Sequence, residues 1–98
     1  MMLDRGQDKV EIADLGELVS AVIFDGDPRT NPFCYHLHRA SLGQIERARK
    51  ENEEEGPVLG FPMMCAVDAP TNTILLWPAC ARTYWLKARY YPPMKETP

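Results

Sequence analysis

"TILLWPACARTYWLKARYYPP", residues Thr73–Pro93, decides how the rest of this chain is read. "TILLW" is a short apolar, partly β-branched run that Pro78 ends, and "PACAR" after it has the composition of a reversal. "TYWLKARYY" then runs to Pro92-Pro93 as the longest strand. In that strand Tyr84, Leu86, Ala88 and Tyr90 point one way, while Trp85, Lys87, Arg89 and Tyr91 point the other. The first set suits a core. The second joins Trp, Tyr and Arg, the residue types that anchor protein interfaces, with a lysine. Packing of Trp85 beneath a helix is an equally good reading of that residue.

Upstream, "GFPMMCAVD" reads as a turn and a strand, and "APTN" (Ala69–Asn72) as a four-residue connection. Three strands with short connections imply a C-terminal antiparallel meander. The one clear helix lies before it, about residues 41–55. Ser41 is a good N-cap, Gln44 completes an S-x-x-Q capping box, and Gly56-Pro57 ends the helix. Leu42, Ile45, Ala48 and Arg49 form its inner stripe. "LVSAVIF" (Leu18–Phe24) is a strand, "DGDPRTNP" is rich in turn formers, and "FCYHLH" (Phe33–His38) alternates. Residues 1–17 are polar apart from Val10, Ile12 and Leu15, and read as a flexible arm with at most one strand. The expected fold class is mainly β, a β-rich α+β: a small antiparallel sheet or sandwich with one inserted helix. Residues 18–93 form a single domain, and 94–98 a tail.

Ninety-eight residues suffice for one domain. No run of 18 apolar residues is present, so no transmembrane helix is expected, and "MMLDRGQDKVEIADLG" lacks the apolar stretch of a signal peptide. Cys34, Cys65 and Cys80 are odd in number and suit reduced thiols in a reducing compartment better than a disulfide framework. The net charge of −3 argues against sequence-specific nucleic-acid binding, which needs many bases set against phosphates. Charge is unevenly placed, however. Glu53, Glu54 and Glu55 close an acidic run, while Arg82, Lys87, Arg89 and Lys95 are the only charges between Ala69 and Lys95. Opposite-signed regions suit head-to-tail contact between copies, although a solvated helix end and ordinary exposed strand positions are the plainer account of these charges.

Enzyme chemistry finds little support in the sequence. Cys34, His36 and His38 share one strand face, and a His-x-His pair can chelate a transition metal, but no further ligand stands at suitable spacing. A Cys34–His nucleophile pair lacks an electropositive setting, an orienting third group and an oxyanion loop. Gly56 and Gly60 lie in "EGPVLGFP", where prolines remove the donors a phosphate would need. No catalytic residue, metal or cofactor is expected.

The order strand, turn-rich loop, polar helix, "GFPMMCAVD", "NTILLWPACARTYWLKARYYPP" resembles the head-to-tail adaptor (neck) proteins of tailed bacteriophages and prophages. The matching positions are Gly60 and Pro62, Leu76 and Pro78, then Tyr84, Leu86, Tyr90, Tyr91 and Pro92, a Tyr-x-Leu-x-x-x-Tyr-Tyr strand followed by proline. The similarity spans about Leu18–Pro93. It implies a virion structural protein, made in the cytoplasm of a bacterial host and assembled as a ring of copies between portal and tail proteins. Relatives of that kind carry further helices around the β core, whereas this chain offers one. On this reading Trp85, Lys87, Arg89 and Tyr91 face an adjoining subunit, with Glu53, Glu54 and Glu55 as complementary charge. The alternative is a small intracellular protein-binding module acting as a monomer or dimer. A metal-dependent or thiol enzyme built on Cys34, His36 and His38 is the third option.

Overall fold

The structure is a computed structural model and describes residues 1–26, 29–30, 34–51 and 58–92. The elements in chain order are β1 (Met2–Leu3), β2 (Lys9–Glu11), β3 (Glu17–Phe24), β4 (Cys34–His36), β5 (His38–Arg39) and α1 (Leu42–Glu51). They continue with β6 (Leu59–Gly60), β7 (Met64–Asp68), β8 (Thr73–Trp77), β9 (Ala79–Cys80) and β10 (Tyr84–Tyr91). The fold is mainly β, with one α-helix among the described residues, as the strand alternation and the capping box predict.

Two four-stranded sheets face each other. The first has the order β1-β10-β3-β4, the second β2-β8-β7-β5, and β6 pairs with β9 in a small parallel ladder. All pairings in the first sheet are antiparallel, while β5 runs parallel to β7 in the second. Between the sheets lies one apolar core drawn from both, including Leu3, Val10, Leu18, Ile23, Leu37, Cys65, Ile74, Leu76, Cys80, Tyr84 and Leu86. Fully burying one such aliphatic side chain stabilises the fold by roughly 1.5–3 kcal/mol.

The sheets are joined because four chain segments pass from one to the other, among them residues 12–16 between β2 and β3. Residues 34–39 leave β4 in the first sheet and enter β5 in the second, and buried Leu37 stands at the crossing, its N–H donating to Ala21 O at 2.8 Å. Residues 73–91 run from β8 to β10, and residues 2–11 lie antiparallel along them. Met2 faces Trp85 and Leu3 faces Tyr84, Gly6 N–H donates to Cys80 O at 2.7 Å, and Val10 faces Ile74. Gly6 makes this path possible with a φ of 85°, a conformation that costs glycine little.

Two expectations are corrected here. Strand β10 does not follow β8 in a meander: β7 and β8 form a hairpin, while β10 lies between β1 and β3 in the opposite sheet. Residues 1–17 are not a loose arm, since they carry β1, β2 and the buried Leu3, Val10 and Leu15. The polar side chains that make this segment look unstructured point outward on edge strands, which need only every second residue apolar. Asn72, in the left-handed conformation after "APT", also holds the segment through its O, which accepts from Ile12 N–H at 2.9 Å.

The helix begins as read. Ser41 N–H donates to Gln44 Oε1 at 2.8 Å, and Gln44 N–H donates to Ser41 Oγ at 3.2 Å. Ile45 is fully buried against Ala66 and Leu75, so α1 covers the outer face of the second sheet. Arg49 ties the helix to the N-terminal segment, donating to Asp8 O at 2.9 Å and lying 3.4 Å from its carboxylate. The expected C-terminal turn of the helix, including Glu53, Glu54 and Glu55, lies outside the described residues. Ser41→Ala is expected to lower unfolding stability by about 1 kcal/mol. A denaturant midpoint equal to that of the parent would show that the cap contributes nothing.

Candidate interface

With α1 spent on the second sheet, the outer face of the first sheet is left open among the described residues. Its composition follows from the register. Met2, Trp85, Phe24 and Cys34 stand in one row across β1, β10, β3 and β4. Lys87, Val22 and His36 form the next row, and Arg89 and Ser20 the third. Cross-strand partners point to the same face, so these residues form one surface. Lys87, Arg89, Cys34 and His36 are exposed and Met2 is 53% exposed, while Trp85, Phe24 and Val22 are half-buried by their neighbours. An aromatic–aliphatic patch with two cations at its side results.

The face division of β10 agrees with the sequence reading as far as Ala88, but Tyr90, expected in the core, is exposed where the register shifts. Tyr84 and Leu86 are buried, Ala88 half-buried, and Lys87, Arg89 and Tyr91 exposed. Trp85 lies on the outer face of the first sheet, opposite Phe24 and away from the helix. A β-bulge in β3, with Val19 unpaired between Leu18 and Ser20, shifts the register at Arg89/Tyr90. Sequence alternation alone gives no sign of it.

A second concavity opens at the end of the sandwich. Tyr35, Phe61 and Tyr84 form an edge-to-face column, with ring centroids 5.0 and 4.9 Å apart. Arg82 pairs with the Asp25 carboxylate and lies over the Tyr84 ring at 5.7 Å. Beside this column runs a groove of about 550 Å³ lined by Asp25, Tyr35, His36, His38, Phe61, Pro62 and Met63. The sequence hides this groove because Phe61 and Pro62 reach Tyr35 only through the crossing of residues 34–39 between the sheets. Gly60 belongs to the same region, where a Cβ would stand 3.1 Å from Pro78 Cγ.

His36 and His38 both border this groove, but Cys34 does not line it and the three form no ligand set. Cys34 and His36 belong to the first sheet and His38 to the second, and among the described residues no group of three His, Cys, Asp or Glu could hold a metal ion. Cys65 and Cys80 are buried in the core and Cys34 is exposed, all three free. Burial pushes the Cys65 thiol upward, and burial with nearby Asp8 and Asp4 takes Cys80 to about 11. Neither buried sulfur is therefore a ready nucleophile. A thiol reagent on the native protein is expected to label Cys34 alone, with Cys65 and Cys80 reacting only on unfolding. Because the folded pKa of Cys80 exceeds the 9.0 of a free thiol, its contribution to stability is complete below pH 9 and is lost as pH rises towards 11. Fast labelling of more than one thiol would contradict the burial.

No protein-family model, curated protein or solved structure matches this chain.

Proposed function

We propose that this chain is a non-enzymatic structural protein of a virion, similar to a phage head–tail adaptor, that works by docking its open sheet face on neighbouring subunits in a ring between portal and tail. The observation that carries the reading is the uncovered outer face of the first sheet. A 98-residue chain that uses its only described α-helix on the other sheet leaves Met2, Trp85, Phe24 and Val22 available for burial by something else. Lys87 and Arg89 flank that patch in a chain whose net charge is negative, so a second copy offers opposite charge elsewhere on its surface. A contact of this kind is heterologous and closes into a ring when its rotation permits. The Tyr-x-Leu-x-x-x-Tyr-Tyr strand that motivates the comparison with adaptors is β10 itself, the central strand of that face.

The test is the absolute mass in solution, by light scattering behind a sizing column at low and moderate salt. A large discrete oligomer that weakens as salt rises supports the reading. A monomer at every protein and salt concentration, which also fails to bind a ring of portal protein, defeats it.

The groove beside Tyr35 and Phe61 favours a second reading, a small intracellular protein-binding module acting as monomer or dimer. Its mix of aromatic and apolar side chains with His36 and His38 is suited to holding a partner's side chain. A sharp monomer peak, with partner binding lost on Phe61→Ser and retained on Lys87→Glu, would single it out.

A further inference from the structure

One strand edge is left half covered, and its geometry fixes what can complete it. On the side of β10 away from β3, only the first residues have a partner among the described residues. Leu86 N–H donates to Met1 O at 2.7 Å and Leu86 O accepts from Met1 N at 3.0 Å. Backbone groups alternate sides along a strand, so Ala88 and Tyr90 point their N–H and C=O the same way as Leu86. Two bonds on the opposite sides support this assignment. Tyr91 O accepts from Gly16 N–H at 2.9 Å on the β3 side, and Ala21 O accepts from Leu37 N–H, away from its neighbour Ala88. Among the described residues no strand pairs with β10 at Ala88 and Tyr90 on that edge.

The edge does not face flat solvent. It borders a slot of about 270 Å³ between β10 and the end of β2, lined by Met1, Ile12, Leu86, Lys87, Ala88 and Tyr90. Ile12 and Ala88 both pack on the main core, so an apolar side chain entering the slot would rest on the core itself. We propose that this slot accepts an extended segment of another protein, added antiparallel to β10 as a new strand, in which acidic residues alternate with apolar ones.

The alternation follows from the register. Residues of the incoming strand opposite Ala88 and Tyr90 form hydrogen-bonded pairs and point inward beside Ile12, where apolar side chains fit. Those opposite Lys87 and Arg89 point outward beside two cations, with Val22 and Ser20 the nearest neighbours of those cations on β3. A carboxylate there gains a cross-strand ion pair, and a base is repelled. The same arithmetic disfavours a second copy of β10. Antiparallel self-pairing about Arg89 sets the two Arg89 side chains opposite each other, and the register about Ala88 sets Lys87 opposite Arg89. This site shares Lys87 and Arg89 with the sheet face proposed for ring contacts but uses the backbone edge of β10, and peptide binding there is read independently of ring formation.

The experiment titrates the full chain, isotopically labelled, with the blocked peptide VEVEVE at up to millimolar concentration while amide exchange is followed residue by residue. Slowed exchange at Ala88 and Tyr90, with little change along β4, is the expected result. Methylating alternate peptide nitrogens so as to block the edge pairing should weaken binding about tenfold, the effect of losing one or two net hydrogen bonds. The peptide VKVKVK should bind the parent more weakly than VEVEVE, and the order should reverse on Lys87→Glu with Arg89→Glu. Binding that ignores N-methylation, or that leaves the Ala88 and Tyr90 amides unprotected, overturns the proposal. So does protection already present in the free protein at high dilution, which means that the chain fills its own slot. Protection that rises with protein concentration alone overturns it in favour of a second copy.

Discussion

Leu3→Ala is expected to cost about 2–5 kcal/mol of unfolding stability, as large-to-small changes at fully buried sites do. Leu3 has no exposed surface and belongs to the main core, opposite Tyr84 in the β1–β10 pair. A domain of this size has about 5–15 kcal/mol in total, so the variant should be marginal or largely unfolded at 37 °C. Met2→Ala is the internal control. Its side chain is 53% exposed on the outer face, and the change should stay within about 0.5 kcal/mol. The pair is informative because a flexible arm, the reading that the polar composition of residues 1–17 invites, predicts no effect from either. Thermal melts of the two variants beside the parent decide the matter. Equal midpoints for all three would mean that β1 is not part of the folded unit.

The second large effect concerns assembly. Lys87→Glu together with Arg89→Glu should leave the fold nearly intact, because both side chains are exposed and neither is buried in the core. Assembly of the parent, where it is found, should be lost. The reversal places two acids where two cations stand beside Trp85, and like charges across an interface cost both association rate and affinity. Long-range attraction is screened over about 10 Å at 0.1 M salt, so the parent oligomer should also weaken between low and moderate salt. An oligomer of unchanged mass in the double variant would remove β10 from the interface and shift attention to the groove beside Tyr35. Unfolding of the variant would conflict with the outward placement of both residues.

These two tests weigh different kinds of knowledge. The face division of β10 is legible in the sequence, since a period of two in "TYWLKARYY" sorts Tyr84 and Leu86 from Lys87 and Arg89 without reference to any partner. The burial of Leu3 is not legible. Its strand is two residues long, followed by Asp4 and Arg5, and becomes a core element only because Tyr84 and Trp85 of β10 pair with it.

The candidate sites divide in the same way. Cys34, His36 and His38 share a face on any alternating strand, yet the chain leaves the first sheet at Leu37 and carries His38 into the second. The open slot beside Ala88 and the groove beside Phe61 both form where segments distant in sequence fail to meet completely, and no local pattern marks such a gap. Glu53, Glu54 and Glu55 lie outside the described residues, and their expected role as complementary charge is carried only by the solution tests.

By itself the sequence determined the elements: the mainly β class, strand β8 from Thr73 to Trp77, the alternation of β10, and a helix started by Ser41 and Gln44. Each of these depends on residues within a few positions of one another, through side-chain period, turn chemistry or a capping bond. Tertiary structure alone decided the neighbours, placing β10 between β1 and β3 instead of beside β8 and, among the described residues, leaving half its edge unpaired. Alternation states which face of a strand must be buried, but many partners can bury it equally well. The choice among them is made only when the whole chain collapses around one core.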